Sequence, residues 1–275
     1  MIVLSLFDGC GMTYQALKNA GIKVLKYYSS EIDKYAAKIS KKNHPDIIQL
    51  GDVTNWRKWK IKQPDLIIGG SPCQGFSFAG KSLNFQDPRS KLFFEFVDIL
   101  NHYKPDYFLL ENVKMKKEYS AEISRILGVE PVFINSALVS AQNRQRLYWC
   151  NWQVDQLEDQ KIPLVDTLES GIVDREKSHC LDANYFKGGN LKSYFEKNRR
   201  QLVFLDNDHI SYRKLTPMEC ERLQTLPDNY TEGVSNTQRY KMLGNGFTVA
   251  VIEHLLKEML KNRPIIKKVT RGRLF

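Results

Sequence analysis

The sequence predicts an α/β fold: a sheet with helices on both faces, and a small irregular region set late in the chain. Short apolar runs alternate with longer amphipathic stretches through the first 165 residues, the pattern of strands joined by helical crossovers. Glycines follow two of those runs, at Gly9 and Gly11 and at Gly69 and Gly70, where parallel sheets place their ligands. From about 166 to 212 both periodicities fade into polar, basic chain, so that stretch reads as a second region.

Ile2 to Phe7 is an apolar run of strand length, and Tyr14 to Ala20 follows with helical spacing. Lys23 to Tyr28 reads as the second strand and Lys34 to Lys42 as the second helix. Asp65 to Gly70 and Asp106 to Leu110 are further strands, each introduced by a proline, Pro64 and Pro105. Leu92 to Tyr103 is the helix between them, and Val132 to Leu138 with Arg146 to Asn151 reads as a strand pair. Helical periodicity returns over Pro217 to Gln224 and from Phe247 to about Lys261. The predicted organisation is a main domain over 1–165, a small region over 166–212, a return to the main domain over 213–262, and a basic, frayed tail over 263–275.

Lysine and arginine number 41 against 31 aspartates and glutamates, a formal net charge of +10. A surplus of that size favours a polyanionic partner, nucleic acid before others. No apolar run is long enough to cross a bilayer, and the apolar start lacks a basic leader and a cleavage site, so the expected location is the cytoplasm. The five cysteines, at 10, 73, 150, 180 and 220, form no Cys-x-x-Cys pair and have no histidine at ligand spacing. That argues against structural zinc and against a disulfide framework, and no metal is expected. Each thiol reads by default as a small buried hydrophobe.

Phe7-Asp8-Gly9-Cys10-Gly11 ends the first strand and opens the first helix. Its glycines admit a ligand close to the backbone, but Tyr14 stands where a dinucleotide fingerprint needs a third glycine, which speaks against a nicotinamide cofactor. Asp8 suits a cationic ligand such as a sulfonium or an amine better than a pyrophosphate. Glu31, ending the second strand, can accept both hydroxyls of a ribose. Asp52, after the next apolar stretch, can accept from an adenine amine. Taken singly, the glycines make a tight turn and the two carboxylates are helix N-caps. Their order along the chain is what points to one ligand.

A second loop leaves the strand ending at Gly70: Ser71-Pro72-Cys73-Gln74-Gly75-Phe76-Ser77. A free thiol titrates near about 8.5 and attacks only as thiolate, so backbone amides or an arginine must activate it. Gly75 and Gly80 hinge a loop, running to about Ser90 and bearing Lys81 and Arg89, that can close over a substrate. Glu111-Asn112-Val113 brings a carboxylate to the same rim. Gln142, Arg144 and Arg146, spaced by two, share one face of an extended chain and are expected to point together into the cleft. Alone, Cys73 reads as inert, Glu111 as a helix cap or ion-pair partner, and the arginines as surface charges. Together, at strand ends of one sheet, they read as an active site.

With these residues in view, the chain resembles the DNA cytosine-5 methyltransferases over nearly its whole length. Phe7-x-Gly9-x-Gly11 is similar to that family's cofactor loop, and Gly70 to Ser77 to its nucleophile motif. Glu111-Asn112-Val113 and Gln142-x-Arg144-x-Arg146 are similar to two catalytic motifs. Arg213-Lys214-Leu215-Thr216-Pro217-x-Glu219 with Leu223-Gln224 resembles the element that organises the target region. Gly244-Asn245-Gly246 resembles the late motif beside the cofactor. The sequence departs from the family at Gly246 and Phe247, where Ser or Ala and then Val are usual, and at Ile32, where a large stacking group often follows the acidic residue. The short stretch between Arg146 and Arg213, and Val234-Ser235-Asn236 leading to Arg239, are similar to the animal de novo enzymes and suggest a short recognition sequence.

The resemblance implies a class I S-adenosylmethionine-dependent methyltransferase fold, a Rossmann-like mixed sheet, with 166–212 as the target-recognition region. It implies methyl transfer from S-adenosylmethionine to carbon 5 of a cytosine flipped out of duplex DNA, leaving S-adenosylhomocysteine. Cys73 then attacks C6, Glu111 bonds N3 and the exocyclic amine, Arg146 contacts O2, and Arg144 ties down the nucleophile loop or a phosphate. The cofactor is expected among Phe7, Asp8, Gly9, Gly11, Glu31, Ile32, Asp52, Val53, Pro72, Leu92, Asn245 and Phe247. DNA is expected at Gln74, Ser77, Lys81, Arg89 and Gln142, with Lys187, Gly188 and Gly189 as points of close approach and Arg199 and Arg200 at phosphates. The expected partners are double-stranded DNA and, in a restriction setting, a companion endonuclease. Two other readings stay open: a tRNA-type RNA cytosine-5 methyltransferase, whose Cys-Phe-Thr stretch is not found here, and a non-catalytic DNA-binding relative, although such relatives usually lose the cysteine or the glutamate.

Overall fold

β1 (Ile2–Leu6) is apolar except at Ser5 because both of its faces are covered: Val3 packs into one hydrophobic layer, Leu4 and Leu6 into the other. The computed structural model describes residues 1–71 and 88–262, without the side chains of 88–90. Pro72, Cys73, Gln74, Ser77, Lys81, the Arg89 side chain and the tail 263–275 lie outside the described residues. β2 (Lys26–Ser30), β3 (Ile48–Gln49), β4 (Leu66–Gly70), β5 (Tyr107–Val113), β6 (Pro131–Asn135) and β7 (Gln145–Cys150) complete a seven-stranded sheet in the order β3-β2-β1-β4-β5-β7-β6. β1 to β5 pair in parallel, whereas β7 runs antiparallel to both β5 and β6. The strand pair expected over 132–151 is therefore present with β7 inserted beside β5, so the sheet is mixed rather than purely parallel. Strand order reverses between β1 and β4, which opens a crevice at their carboxyl ends.

α1 (Met12–Asn19) and α8 (Val249–Lys261) pack against each other on one side of the sheet, over Val3, Leu66, Ile68 and Leu109. α3 (Pro88–Tyr103) covers the other side through Phe93, Phe96 and Val97, beside the 3-10 turn Val53–Lys58. α2 (Lys34–Asn43) follows β2. The sequence reading did not identify α4 (Lys117–Leu127), whose C-cap is Gly128 at φ 73.

The stretch after β7 is built from short pieces: α5 (Leu191–Lys197), then β8 (Leu202–Phe204) paired antiparallel with β9 (Tyr212–Lys214). Tyr194, Leu202 and Phe204 form a small core of their own. α6 (Pro217–Leu223) starts where its sequence says it must. Thr216 and Glu219 make a reciprocal capping box, and Pro217 occupies the first turn. α7 (Asn236–Asn245) carries the Gly244-Asn245 motif at its C-terminal end. Among the described residues no helix is long and apolar enough to cross a membrane.

Candidate active site

The carboxyl ends of β1, β2, β4 and β5 open into one cleft of about 1090 Å³. Phe7, Asp8, Gly9, Glu31, Ile32, Asp52, Val53, Leu92, Glu111, Arg144, Arg146, Arg199, Arg200, Asn245 and Phe247 all line it. Gly11, Gln142, Lys187, Gly188 and Gly189 do not.

At the end of the cleft formed by β1 and β2, the β1–α1 loop turns sharply. Phe7 takes φ 57, a region costly for an aromatic residue, and Gly9 and Gly11 take φ 62 and 82. The two glycines differ in purpose. A Cβ at Gly9 would meet nothing within 4 Å, leaving room for a ligand, whereas one at Gly11 would come 3.1 Å from both His44 and Ser40. Gly11 thus serves the approach of α1 to α2. The Glu31 carboxylate accepts from the backbone N–H of Gly9 at 2.8 Å, Ile32 at 2.8 Å and Asp33 at 2.7 Å, tying the loop to the end of β2. Asp33, not Glu31, caps α2. Asp52 does cap a helical turn, accepting from the Thr54 N–H at 2.9 Å, while still facing the cleft.

Asp8 corrects the expectation of a carboxylate aimed at a cation. It is buried and accepts from Ser5 Oγ (2.6 Å), Tyr27 OH (2.6 Å) and Ser29 Oγ (2.7 Å), so its charge is turned into the β1–β2 junction. Burial raises its pKa to about 6, against the pull of those hydroxyl donors. Exposed Ile32, open space at Gly9, and the carboxylates of Glu31 and Asp52 at one end of the cleft suit an adenosyl group.

On the chemical side, strand register does the positioning. Gly70 pairs with Glu111, Glu111 with Tyr148, and Val113 with Arg146. Arg146 and Tyr148 share one face of β7, so Arg146 lies diagonally across from Glu111. Its Nε forms an ion pair with Glu111 Oε1 at 2.9 Å, with both side chains 13% exposed. A Cβ at Gly70 would fall 3.0 Å from Glu111 Oε2 and 3.2 Å from the Phe247 ring. A glycine there lets carboxylate and ring meet beside the strand exit. Asn112, which the sequence reading quoted without a role, is buried. Its amide donates to Ser71 O (3.4 Å) and Ser71 Oγ (3.3 Å), bracing the chain two residues before Cys73.

Two further expectations need correction. Gln142 does not point into the cleft. Its amide donates to Leu223 O (2.7 Å) and Gln224 Oε1 (2.9 Å), and its oxygen accepts from the Leu181 N–H, all in the interior. Arg144 is buried and donates to Leu181 O (3.1 Å), Gly244 O (3.2 Å), Gly246 O (2.8 Å) and Cys180 Sγ (3.3 Å). It ties the chain after β7 to the Gly244–Gly246 motif instead of reaching a phosphate. Burial and the neighbouring Arg146 lower its pKa. Gly188 and Gly189 lie off the cleft lining: Arg200 Nη1 donates to Gly188 O at 2.8 Å, a Cβ at Gly188 would meet nothing within 4 Å, and one at Gly189 would lie 3.2 Å from Arg200 O. Lys187 is exposed, with its ammonium 5.8 Å from the Phe186 ring centroid. Cys10, Cys150 and Cys220 are buried, and burial pushes each thiol up, Cys150 to about 12. Cys180 is half-buried on the cleft beside the two arginines.

A mixed seven-stranded sheet with its glycine loop after β1 and its cleft at the carboxyl strand ends has the architecture of a class I methyltransferase. Most of the chain superposes on solved structures of that architecture. It matches the Dnmt2 methyltransferase of S. pombe with a TM-score of 0.68 at 20% identity, covering 95% of this chain and 98% of that one. It matches a putative DNA modification methyltransferase from an E. coli prophage with a TM-score of 0.67 at 21% identity, covering 95% and 99%. The family model described as C-5 cytosine-specific DNA methylase matches residues 1–170 and 134–261. The Type II methyltransferase M1.ScrFI of Lactococcus lactis subsp. cremoris is 31% identical over 94% of this chain and 78% of its own. M.NlaX of Neisseria lactamica is 31% identical over 94% and 95%. The chain belongs to the C-5 cytosine-specific DNA methylases and is a DNA cytosine methyltransferase.

Proposed function

We propose that this enzyme transfers a methyl group from S-adenosylmethionine to carbon 5 of a cytosine flipped out of duplex DNA, with Cys73 as the covalent nucleophile. The observation that carries the reading is the Glu111–Arg146 pair, fixed by register at the cleft beside the strand end that leads to Cys73. S-adenosylmethionine supplies an electrophilic methyl on a sulfonium, and Phe7, Ile32, Val53, Leu92 and Phe247 provide apolar surface to enclose it. Glu31 and Asp52 receive its ribose hydroxyls and adenine amine.

Cytosine C5 is a poor nucleophile. Addition of the Cys73 thiolate to C6 breaks the ring's aromaticity and moves electron density to C5. Glu111 accepts from the exocyclic amine, and a proton shared between its Oε2, the oxygen not paired with Arg146 Nε, and N3 takes up the electron density of the adduct. Arg146 holds O2 while orienting Glu111. After methylation, loss of the C5 proton to a base expels the thiolate and restores aromaticity. Arg144 acts as a positioning residue, keeping the Gly244–Gly246 segment against the chain after β7. The reaction takes place in the cytoplasm, and a companion endonuclease is optional, because relatives named Type II and relatives named orphan both match.

The test is incubation of the full chain with methyl-labelled cofactor and either duplex DNA or transfer RNA, with Cys73→Ser in parallel and bisulfite mapping of products. Methylcytosine in duplex DNA, absent with the variant, is expected. Label confined to RNA, or undiminished in Cys73→Ser, would overturn the reading.

A further inference from the structure

Arg199 and Arg200 leave the end of α5 on a tight turn, and the structure gives them different tasks. Asn198, the C-cap, takes φ 49, and Arg200 takes φ 58. Left-handed backbone on both sides of Arg199 projects it outward, with 60% of its side chain exposed. Arg200 is turned the other way: its side chain is 20% exposed, its Nη1 donates to Gly188 O, and its Nε lies 3.6 Å from Asp182 Oδ2.

Asp182 also holds Arg199, with Nη2 3.4 Å from the same Oδ2. The aspartate itself cannot drift. It accepts from the Asn184 N–H at 2.7 Å, and its backbone lies so close to Gly244 that a Cβ there would fall 2.3 Å from Asp182 C and O. Asp182, Arg199, Arg200 and Gly244 line the same cleft as Glu111. A carboxylate fixed this close to a guanidinium is a poor companion for a phosphate, because it adds repulsion between two anions. It suits a neutral acceptor edge well. It orients the fork, and it leaves the remaining N–H donors in a plane that matches guanine O6 and N7.

We propose that Arg199 reads a guanine at a fixed position in the recognition sequence, oriented by Asp182, while Arg200 supports the turn and reads nothing. This replaces the expectation that both arginines sit on phosphates, and it rests on duplex DNA being the substrate. The recognition sequence then contains at least one guanine whose loss the enzyme penalises through one side chain.

The experiment uses the full chain on a duplex library with randomised flanks around cytosine, read by bisulfite sequencing at several salt concentrations. Wild type is compared with Arg199→Ala and with Lys197→Ala, a neighbouring exposed lysine. Arg199→Ala is expected to keep methylating while discrimination at one guanine position falls roughly tenfold or more, with the salt dependence of DNA binding nearly unchanged. Placing 7-deazaguanine at that position should reproduce the loss with wild-type enzyme, which keeps the test valid if the variant folds poorly. A uniform loss across all sequences with a shallower salt dependence, like that of a phosphate contact, would overturn the proposal. So would full activity on the 7-deazaguanine duplex. Failure of wild type to methylate any duplex overturns the underlying substrate reading, and this one with it.

Discussion

The two sides of the cleft are fixed by different means. On the sheet side, Gly70, Glu111 and Arg146 stand where the hydrogen-bonded register of β4, β5 and β7 puts them. On the side built from 172–202, little regular structure is present, and side chains hold the backbone instead. Arg144 donates to the carbonyls of Leu181, Gly244 and Gly246, Lys177 to those of Ala137, Ser140 and Ile162, and Arg200 to that of Gly188. A ladder fixes spacing to a fraction of an ångström and is insensitive to which side chains it carries. A backbone held by side chains can change course when one residue changes. Glu111 and Arg146 sit on the first kind of support, and Arg199 and Arg200 sit on the second.

The largest expected effect breaks the chemistry while sparing the ladder. Glu111→Gln keeps the size and the strand but not the charge paired with Arg146, and should cost about 10²- to 10⁴-fold in methyl transfer with little change in melting temperature. A variant as active as wild type would remove Glu111 from the mechanism. Next is Gly244→Ala, which forces a Cβ into the Asp182 backbone where the two sides meet. It should destabilise by about 3 kcal/mol, read by urea unfolding. Unchanged stability would mean the two sides are not rigidly joined.

The smallest effect is a pH dependence shared by both sides. His44 is buried against the cofactor loop, stacked on Tyr14 with its Nε2 3.0 Å from Tyr230 OH. Burial, with Lys18 nearby, lowers its pKa from 6.5 to about 4. On the other side His179, burial and Arg175 do the same, also to about 4. Both pKa values are depressed by folding, so the unfolded chain binds more protons between pH 6.5 and 4. The stability they contribute is present above about 6.5 and is lost as pH falls toward 4. Between those limits His44→Gln should flatten the stability profile by on the order of 2 kcal/mol. Parallel profiles for variant and wild type would contradict the assignment.

What could be read from the sequence follows the same division. Strands buried on both faces show as apolar runs, so β1, β4 and β5 were evident to within a few residues, as were the capped helix α6 and most of α8. Glu111 and Arg146 were legible because strand ends on one sheet converge. Gln142 was misread because the period-two argument was applied ahead of the strand. β7 begins at Gln145, and Gln142 makes only an isolated bridge to Ser178, which turns its side chain inward. Asp8 was misread because nothing in the local sequence announces three hydroxyl donors, one nearby in sequence and two from β2. α5 and the β8–β9 pair are shorter than the window in which periodicity can be counted. The pairing of Asp182 with Arg199 joins residues on opposite sides of α5, a contact that composition cannot reveal.

Arg144 has a consequence for biosynthesis. Among the described residues, every acceptor of its guanidinium comes later in the chain, at Cys180, Leu181, Gly244 and Gly246. Domains form from the amino terminus as the ribosome delivers chain, so β1 to β7 can assemble while this cation still faces water. It becomes enclosed only when the segment ending near residue 246 emerges and docks. The enzyme's cleft is therefore among the last parts of the molecule to be completed, and a nascent chain stalled before that point holds its catalytic strands but no finished site.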